Sequence, residues 1–295
     1  MATVRVSDRA CLNNQLIGEN SEMTTERDDS EAKERTSLHF VGTGSCTPAA
    51  SNDTTCFVLN DRVLIDCGWC AAMSLLQSGR SALDLETVLI THCHHDHYMG
   101  LASVFFYRRM QQAQLESEEE LRVFGPDEDI ERVVERARMY LQVDRFSAVQ
   151  TTPEVIPVQP GESFELGELQ VRTAPTRHAV QGMAYHFTDT RTGATIGISG
   201  DTAYVPELAD FFRGVDVLVM EASHGIEDPD PEKASHSSVR QSASIARDAE
   251  VGEFYIVHTR IPPSKQAMEP SEAVAEARAI FPRSHVPAPR TTLMV

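Results

Sequence analysis

The chain has 295 residues and 41% hydrophobic content, enough for one large domain with a full core rather than a small stapled scaffold. Its formal net charge of -18, from 44 acidic against 26 basic residues, gives a surface that repels a phosphate backbone and argues against general electrostatic binding to nucleic acid. No apolar run approaches the roughly 18 residues of a membrane span, the N-terminus lacks the apolar centre of a secretory signal, and the six cysteines read as unpaired thiols. A cytoplasmic protein with no membrane association is expected.

Residues 1–36 are polar and unpatterned, as expected of a disordered leader, with Met1 and Met23 as alternative starts. One domain is expected over 37–295, because neither repeats nor a linker interrupt it. Order begins with a strand at Ser37–Val41 that runs into the glycine-rich turn Gly42–Pro48, where no dinucleotide fingerprint follows. Strands over 55–59 and 62–65 are joined by Asn60-Asp61, a tight-turn pair. Asp66-Cys67-Gly68 closes the second, and a helix is expected over 71–76. Cys67-Gly68-Trp69-Cys70 has CxxC spacing but no surrounding thioredoxin pattern, and so reads as a structural turn. The apolar run Val88-Leu89-Ile90 is a buried strand. Past Gly100, Leu101, Val104 and Phe105 have helical spacing. A strand follows at 121–124, a helix at 129–141 and β structure at 154–175. Arg108, Arg109 and Arg172 read as surface charge. The order of elements indicates mixed α/β layers with helices outside.

The informative stretch is Thr91-His92-Cys93-His94-His95-Asp96-His97, where the Val88–Ile90 strand ends. Side chains two apart in an extended segment share a side, so His92 and His94 project together. A lone histidine is usually a satisfied hydrogen-bonder, but four ligand-type groups within six residues are hard to justify as packing. Imidazole with carboxylate suits zinc and its neighbours. Three later apolar strands also end in ligand-type residues: 171–175 before His178, 195–200 before Asp201, and 254–257 before His258. Strand ends of one sheet converge on one rim, where open α/β folds place their sites. Cys93 is expected to pack behind the ligands. His39, His95, His186, His224 and His285 are expected to be structural or exposed.

HxHxDH at 92–97, the later His178, Ser199-Gly200-Asp201-Thr202 and the strand-end His258 together resemble the metallo-β-lactamase superfamily. Within it, Phe40–Ser45, Leu64–Gly68 and Asp216–Ser223 followed by His236-Ser237 are similar to ribonuclease Z and its phosphodiesterase relatives. The resemblance covers 37–295 and implies an αββα sandwich in a single domain with a binuclear metal centre, two Zn2+ with Mn2+ or Fe2+ as alternatives. It implies His92, His94 and His178 on one ion, Asp96, His97 and His258 on the other, and Asp201 bridging. It further implies a hydrolase in which a metal hydroxide attacks a phosphodiester, Asp96 touches the attacking water, and His236, oriented by Glu221, protonates the leaving oxygen. His236 could instead merely cap the helix that follows it, and Asp66 could support the ligands or cap its own turn. The best-known β-lactamases carry Cys at the position of Asp201, so lactam hydrolysis is not expected.

Ribonuclease Z proper grips tRNA with a long glycine- and proline-containing arm between the later metal motifs. Here only residues 179–200 separate His178 from Asp201. With the acidic balance, this favours a small phosphodiester or nucleotide, such as a cyclic nucleotide. The alternatives are a tRNA 3′-end endoribonuclease, a glyoxalase-II-like thioester hydrolase and a non-catalytic binding module. Analogy with relatives also suggests a homodimer. Val286–Val295 reads as a last strand, with two prolines to which no role is assigned.

Overall fold

The computed structural model describes residues 35–115, 120–260 and 264–295. The expected leader, with Met1 and Met23, lies outside the described residues as far as residue 34. Thr36 already belongs to the domain: it is buried, and its hydroxyl donates to Asp189. The first half of the chain forms β1 (Ser37–Gly42), β2 (Cys56–Leu59), β3 (Val63–Ile65), α1 (Ala71–Gln77), β4 (Thr87–Leu89), α2 (His95–Tyr98), α3 (Leu101–Leu115), β5 (Arg122–Pro126), α4 (Ile130–Tyr140) and β6 (Glu154–Val158). The second forms β7 (Ser163–Leu166), β8 (Leu169–Pro175), β9 (Met183–Asp189), β10 (Thr195–Ile198), α5 (Leu208–Phe211), β11 (Val217–Glu221), α6 (Val239–Asp248), β12 (Glu253–Val257), α7 (Pro270–Ile280), β13 (Ser284–His285) and β14 (Thr291–Met294).

Among the described residues two seven-stranded sheets result, ordered β14-β1-β2-β3-β4-β5-β6 and β13-β12-β11-β10-β9-β8-β7. Their inner faces meet in a core that includes Phe40, Phe57, Leu89, Tyr185, Phe187 and Val219. The outer face of the first sheet packs through Leu64, Val88 and Val123 against Leu75, Phe105 and Val133 of the helices. The outer face of the second packs through Leu218, Phe254 and Ile256 against Phe212, Ala243 and Ala277. This is the αββα sandwich. Burial on both faces explains why β2 and β11 are continuous apolar runs, while β8 alternates. The link between β2 and β3 puts Asn60 and Asp61 at φ of 50° and 55°, the left-handed pair that a two-residue hairpin turn demands. No helix among the described residues is long and apolar enough to cross a membrane.

Three features depart from the sequence reading. The terminal segment is not one strand: Pro287 and Pro289 lie between β13 and β14, where the chain leaves the second sheet to pair with β1 of the first. Lacking N–H groups, prolines suit a crossover outside any ladder. Arg108 is not surface charge; it is buried and donates to the carbonyls of Ala82, Leu83 and Leu85. Helix α7 escaped notice because its buried face is made of Ala273 and Ala277, too small to give an apolar period.

The parallel strands β3, β4, β10, β11 and β12 all end on one rim of the sandwich. β8 is antiparallel to β9, which is antiparallel to β10, so β8 ends there too. Asp66, His92, His178, Asp201, Glu221 and His258 follow those ends or, for Glu221, close one.

Candidate metal centre

The cluster begins with backbone that only tight packing permits. After β4 the chain stays extended through His94, the residue before α2, so His92 and His94 face one way. The single turn of α2 then brings Asp96 and His97 round to the same rim. Gly100 ends this turn against the loop after β3: the Gly100 N–H donates to Cys67 O, and a Cβ on Gly100 would lie 2.1 Å from Gly68 O. Asp66 and His258 both hold left-handed backbone, at φ 56° and 55°, which costs a non-glycine residue on the order of 1 kcal/mol. Such strain gathers at sites where side-chain direction matters.

All seven donors converge. His94 Nδ1 lies 3.2 Å from His92 Nε2 and 2.9 Å from His178 Nε2. Asp201 Oδ2 is 3.8 Å from His92 Nε2 and 3.9 Å from His178 Nε2. On the other side, His97 Nε2 is 3.4 Å from Asp96 Oδ2 and 3.6 Å from Asp201 Oδ1. His258 Nε2 is 3.2 Å from Asp96 Oδ2 and 3.5 Å from Asp201 Oδ2. Four donors held about 2.1 Å from a tetrahedral ion stand about 3.4 Å from one another. Both sides scatter around that value, and Asp201 lies within 3.5 to 3.9 Å of nitrogens on each.

Proton bookkeeping points the same way. Asp66 accepts from the Thr91 N–H, the Thr91 hydroxyl and His97 Nδ1, the last at 2.7 Å. That bond occupies Nδ1 and turns Nε2 of His97 toward the cluster. That atom is buried with no hydrogen-bond partner and faces two carboxylates. Burial would lower the His97 ring, but Asp66 and Asp201 hold it well above the ordinary imidazole range, so the carboxylates demand a positive charge at Nε2, which a proton or a metal cation supplies. His178 Nδ1 donates to Ser235 O at 2.6 Å, which likewise frees its Nε2 for the cluster. Burial pushes His92, His94 and His178 below the ordinary imidazole range and keeps them neutral. Burial alone would raise the carboxyls of Asp96 and Asp201, but the imidazoles around them hold both well below the usual range. Unprotonated imidazole nitrogens and ionised carboxylates are the donor set a divalent transition metal takes, and an ion at Nε2 of His97 would displace the proton that the carboxylates otherwise hold there.

Beside the seven stands His236, its Nδ1 2.9 Å from Glu221 Oε1 and 3.7 Å from Asp201 Oδ2. Buried Glu221 accepts the N–H groups of Thr202 and Ser223, so its direction is fixed. The helix cap lies elsewhere: Ser238 and Gln241 form the capping box of α6, which leaves His236 free of that task. Burial pulls the His236 ring down, but Glu221 and Asp201 together hold it above the ordinary imidazole value.

The remaining histidines stand apart. His39 pairs with Thr292 and His285 with Glu253, and His186 lies on β9 among the residues packed near Phe211. Cys93 packs against the outer core of the first sheet. Cys67 is buried and Cys70 exposed at the start of α1, both as free thiols. A cavity of about 300 Å³ opens at the opposite ends of the strands, beside Val63, Thr87, Arg122 and Leu169, and contains none of the clustered residues. The sequence reading did not single out Thr91, Ser223 or Arg260. Position was the available signal for Arg260, which lies two residues past the strand-end His258.

Asp66→Asn isolates the support given to His97, and Asn tolerates the left-handed backbone at this position. Metal affinity, measured by competition with a chelator, should fall about 10- to 100-fold. Unchanged affinity would reduce Asp66 to a packing role.

Fold and site together define a metallo-hydrolase of the metallo-β-lactamase fold. Residues 36–247 match the family described as Anti-Pycsar protein Apyc1, and the chain belongs to that family. Ribonuclease Z of Thermoplasma acidophilum is 24% identical over 299 residues, covering 83% of this chain and 92% of that protein. The metallo-β-lactamase fold protein YhfI from Bacillus subtilis superposes with a TM-score of 0.74 at 22% identity, over 89% of this chain and 100% of the other. The short form of human tRNase Z does so with a TM-score of 0.67 at 16% identity, over 87% and 98%.

Proposed function

We propose that this chain is a two-metal phosphodiesterase acting on a small phosphodiester such as a cyclic nucleotide, with zinc as the native metal and manganese or iron as replacements. His92, His94, His178 and Asp201 would hold one ion, and Asp96, His97, His258 and Asp201 the other. Bound there, the pair would supply Lewis acidity toward a phosphoryl oxygen and lower the pKa of a water to about 7.

The observation that carries the reading is the His236–Glu221 pair beside the carboxylate common to both donor sets. A thiolate, whose conjugate acid has a pKa near 8.5, leaves without help. A sugar alkoxide is far more basic and needs a proton as the bond breaks. A donor built into the site therefore favours a phosphodiester that releases an alcohol over a thioester. Glu221 takes Nδ1 of the ring, so Nε2 carries the proton toward the leaving oxygen. Asp96 orients the attacking water by accepting a hydrogen bond from it. The short connection between His178 and Asp201, which holds only the hairpin of β9 and β10, and the charge of -18 favour a small substrate over tRNA.

The test is a substrate panel with metal-stripped protein reloaded with zinc or manganese. Reloading should restore hydrolysis of a bis-aryl phosphodiester and a cyclic nucleotide, and leave a glutathione thioester and a tRNA precursor nearly untouched. Preference for either of the last two, or no dependence on metal, would overturn the reading.

A further inference from the structure

An acidic chain that binds a phosphodiester must place a cation where the phosphoryl group sits, because its surface as a whole repels that anion. Two arginines lie next to the candidate ligands in sequence. Arg177 precedes His178, but it is exposed and no described residue holds its guanidinium. Arg260, two residues past His258, is held. Its Nε donates to Ser223 O at 2.9 Å and to Ser223 Oγ at 3.0 Å. The Ser223 hydroxyl in turn meets Ser45 Oγ at 3.2 Å, and the Ser223 N–H donates to Glu221. Thr259 forms a bridge with Gly44, and the His258 N–H donates to Thr43 O. Arg260 is thus tied to the loop that follows Glu221, and its own stretch of chain to the glycine-rich turn after β1.

Two bonds through Nε fix the plane of the guanidinium while leaving both terminal amino groups unused. Among the described residues they have no hydrogen-bond or carboxylate partner. A planar fork with two open edges matches a phosphoryl group better than a point charge does. The Arg260 charge also reaches the proton donor, where it opposes protonation of the His236 ring. Beside Arg260 a cavity of about 60 Å³ is lined by Ser45, Cys46 and Thr259, among others.

We propose that Arg260 is the anion clamp of this site, its terminal amino groups binding a non-bridging oxygen of the substrate's phosphoryl group. The clamp rests on the phosphodiesterase reading for its substrate class, but not for its test. Because Ser223 orders the side chain in advance, little rotamer freedom is lost on binding. The charge-assisted bonds should then act mainly on affinity.

The test is binding of inorganic phosphate to the zinc-loaded protein, followed by calorimetry. Arg260→Ala should weaken phosphate binding about 10- to 100-fold, with zinc content and melting temperature retained. Arg260→Lys should recover only part of the loss, because a single ammonium cannot keep Ser223 and present a fork. A dissociation constant within about twofold of the unaltered protein would overturn the clamp. Should the Ala variant shed its metal, Arg260→Gln decides, since it keeps most of the volume and can still reach Ser223; unchanged phosphate binding there overturns the proposal equally. Turnover of a bis-aryl phosphodiester by the unaltered enzyme is scored separately. Weakened phosphate binding without any such turnover would support the clamp and remove the phosphodiesterase reading. Turnover with unchanged phosphate binding would do the reverse.

Discussion

Replacing Asp201 with Asn should lower turnover of a phosphodiester by about 1000-fold or more and cut the metal content below two ions per chain. The expectation follows from how many partners share this carboxylate. Its two oxygens lie 3.5 to 3.9 Å from nitrogens of His92, His97, His178 and His258, and no other candidate donor belongs to both sets. Asn keeps the shape and one acceptor oxygen, so packing around the buried side chain should survive. What disappears is the full negative charge that would lie between two bound divalent ions, on which several kcal/mol of charge stabilisation would depend. Turnover and metal analysis should be read together. A variant that keeps both ions and full activity would show that the carboxylate serves the fold alone. Loss of the folded state would point the same way, and circular dichroism checks it.

Loss of the proton donor should have the second largest effect, and one that depends on the substrate. His236→Ala should slow release of a sugar alkoxide by about 100- to 10000-fold, the usual range for general acid catalysis. An activated aryl phosphodiester should lose far less, because its phenolate departs without a proton. Equal losses on both substrates would remove the acid role. The pH profile carries a sign of its own. A general acid works only when protonated, so activity on alkoxide substrates should decline as pH rises through the His236 pKa. Burial would bring that decline early, but Glu221 and Asp201 delay it by holding the ring above the ordinary imidazole value. His236→Ala should lack this limb. Glu221→Gln should shift it to lower pH while keeping the ring in place.

Mixed α/β layers, the density of donors at 92–97 and the three later strand ends were legible because each depends on local pattern, whereas the αββα sandwich was legible only through the family resemblance. Apolar runs mark buried strands, and ligand-type residues at their ends have no packing role to explain them. His236 and Glu221 were legible only through resemblance, since a histidine ahead of a helix reads locally as a cap. The structure shows Ser238 and Gln241 in that task. Arg108 was misread because an isolated arginine on a helix is normally solvated, and only the turn at 82–85 supplies the three carbonyls that bury it. The terminal prolines were opaque because a crossover between sheets leaves no periodic trace.

The sequence by itself determined which atoms are available at the site: histidine nitrogens and aspartate oxygens, delivered by the ends of strands or, for Asp96 and His97, by the turn that follows one. It determined this because strand ends and side-chain alternation are properties of short segments. Only the tertiary structure decided that Asp96 would meet His258 across 162 residues of chain. It also decided that His97 would give its Nδ1 proton to Asp66 and that Arg260 would be fixed by Ser223 with its fork unspent. Tautomer, lone-pair direction and an open guanidinium edge are set by partners distant in sequence, and those partners become neighbours only when the two sheets pack.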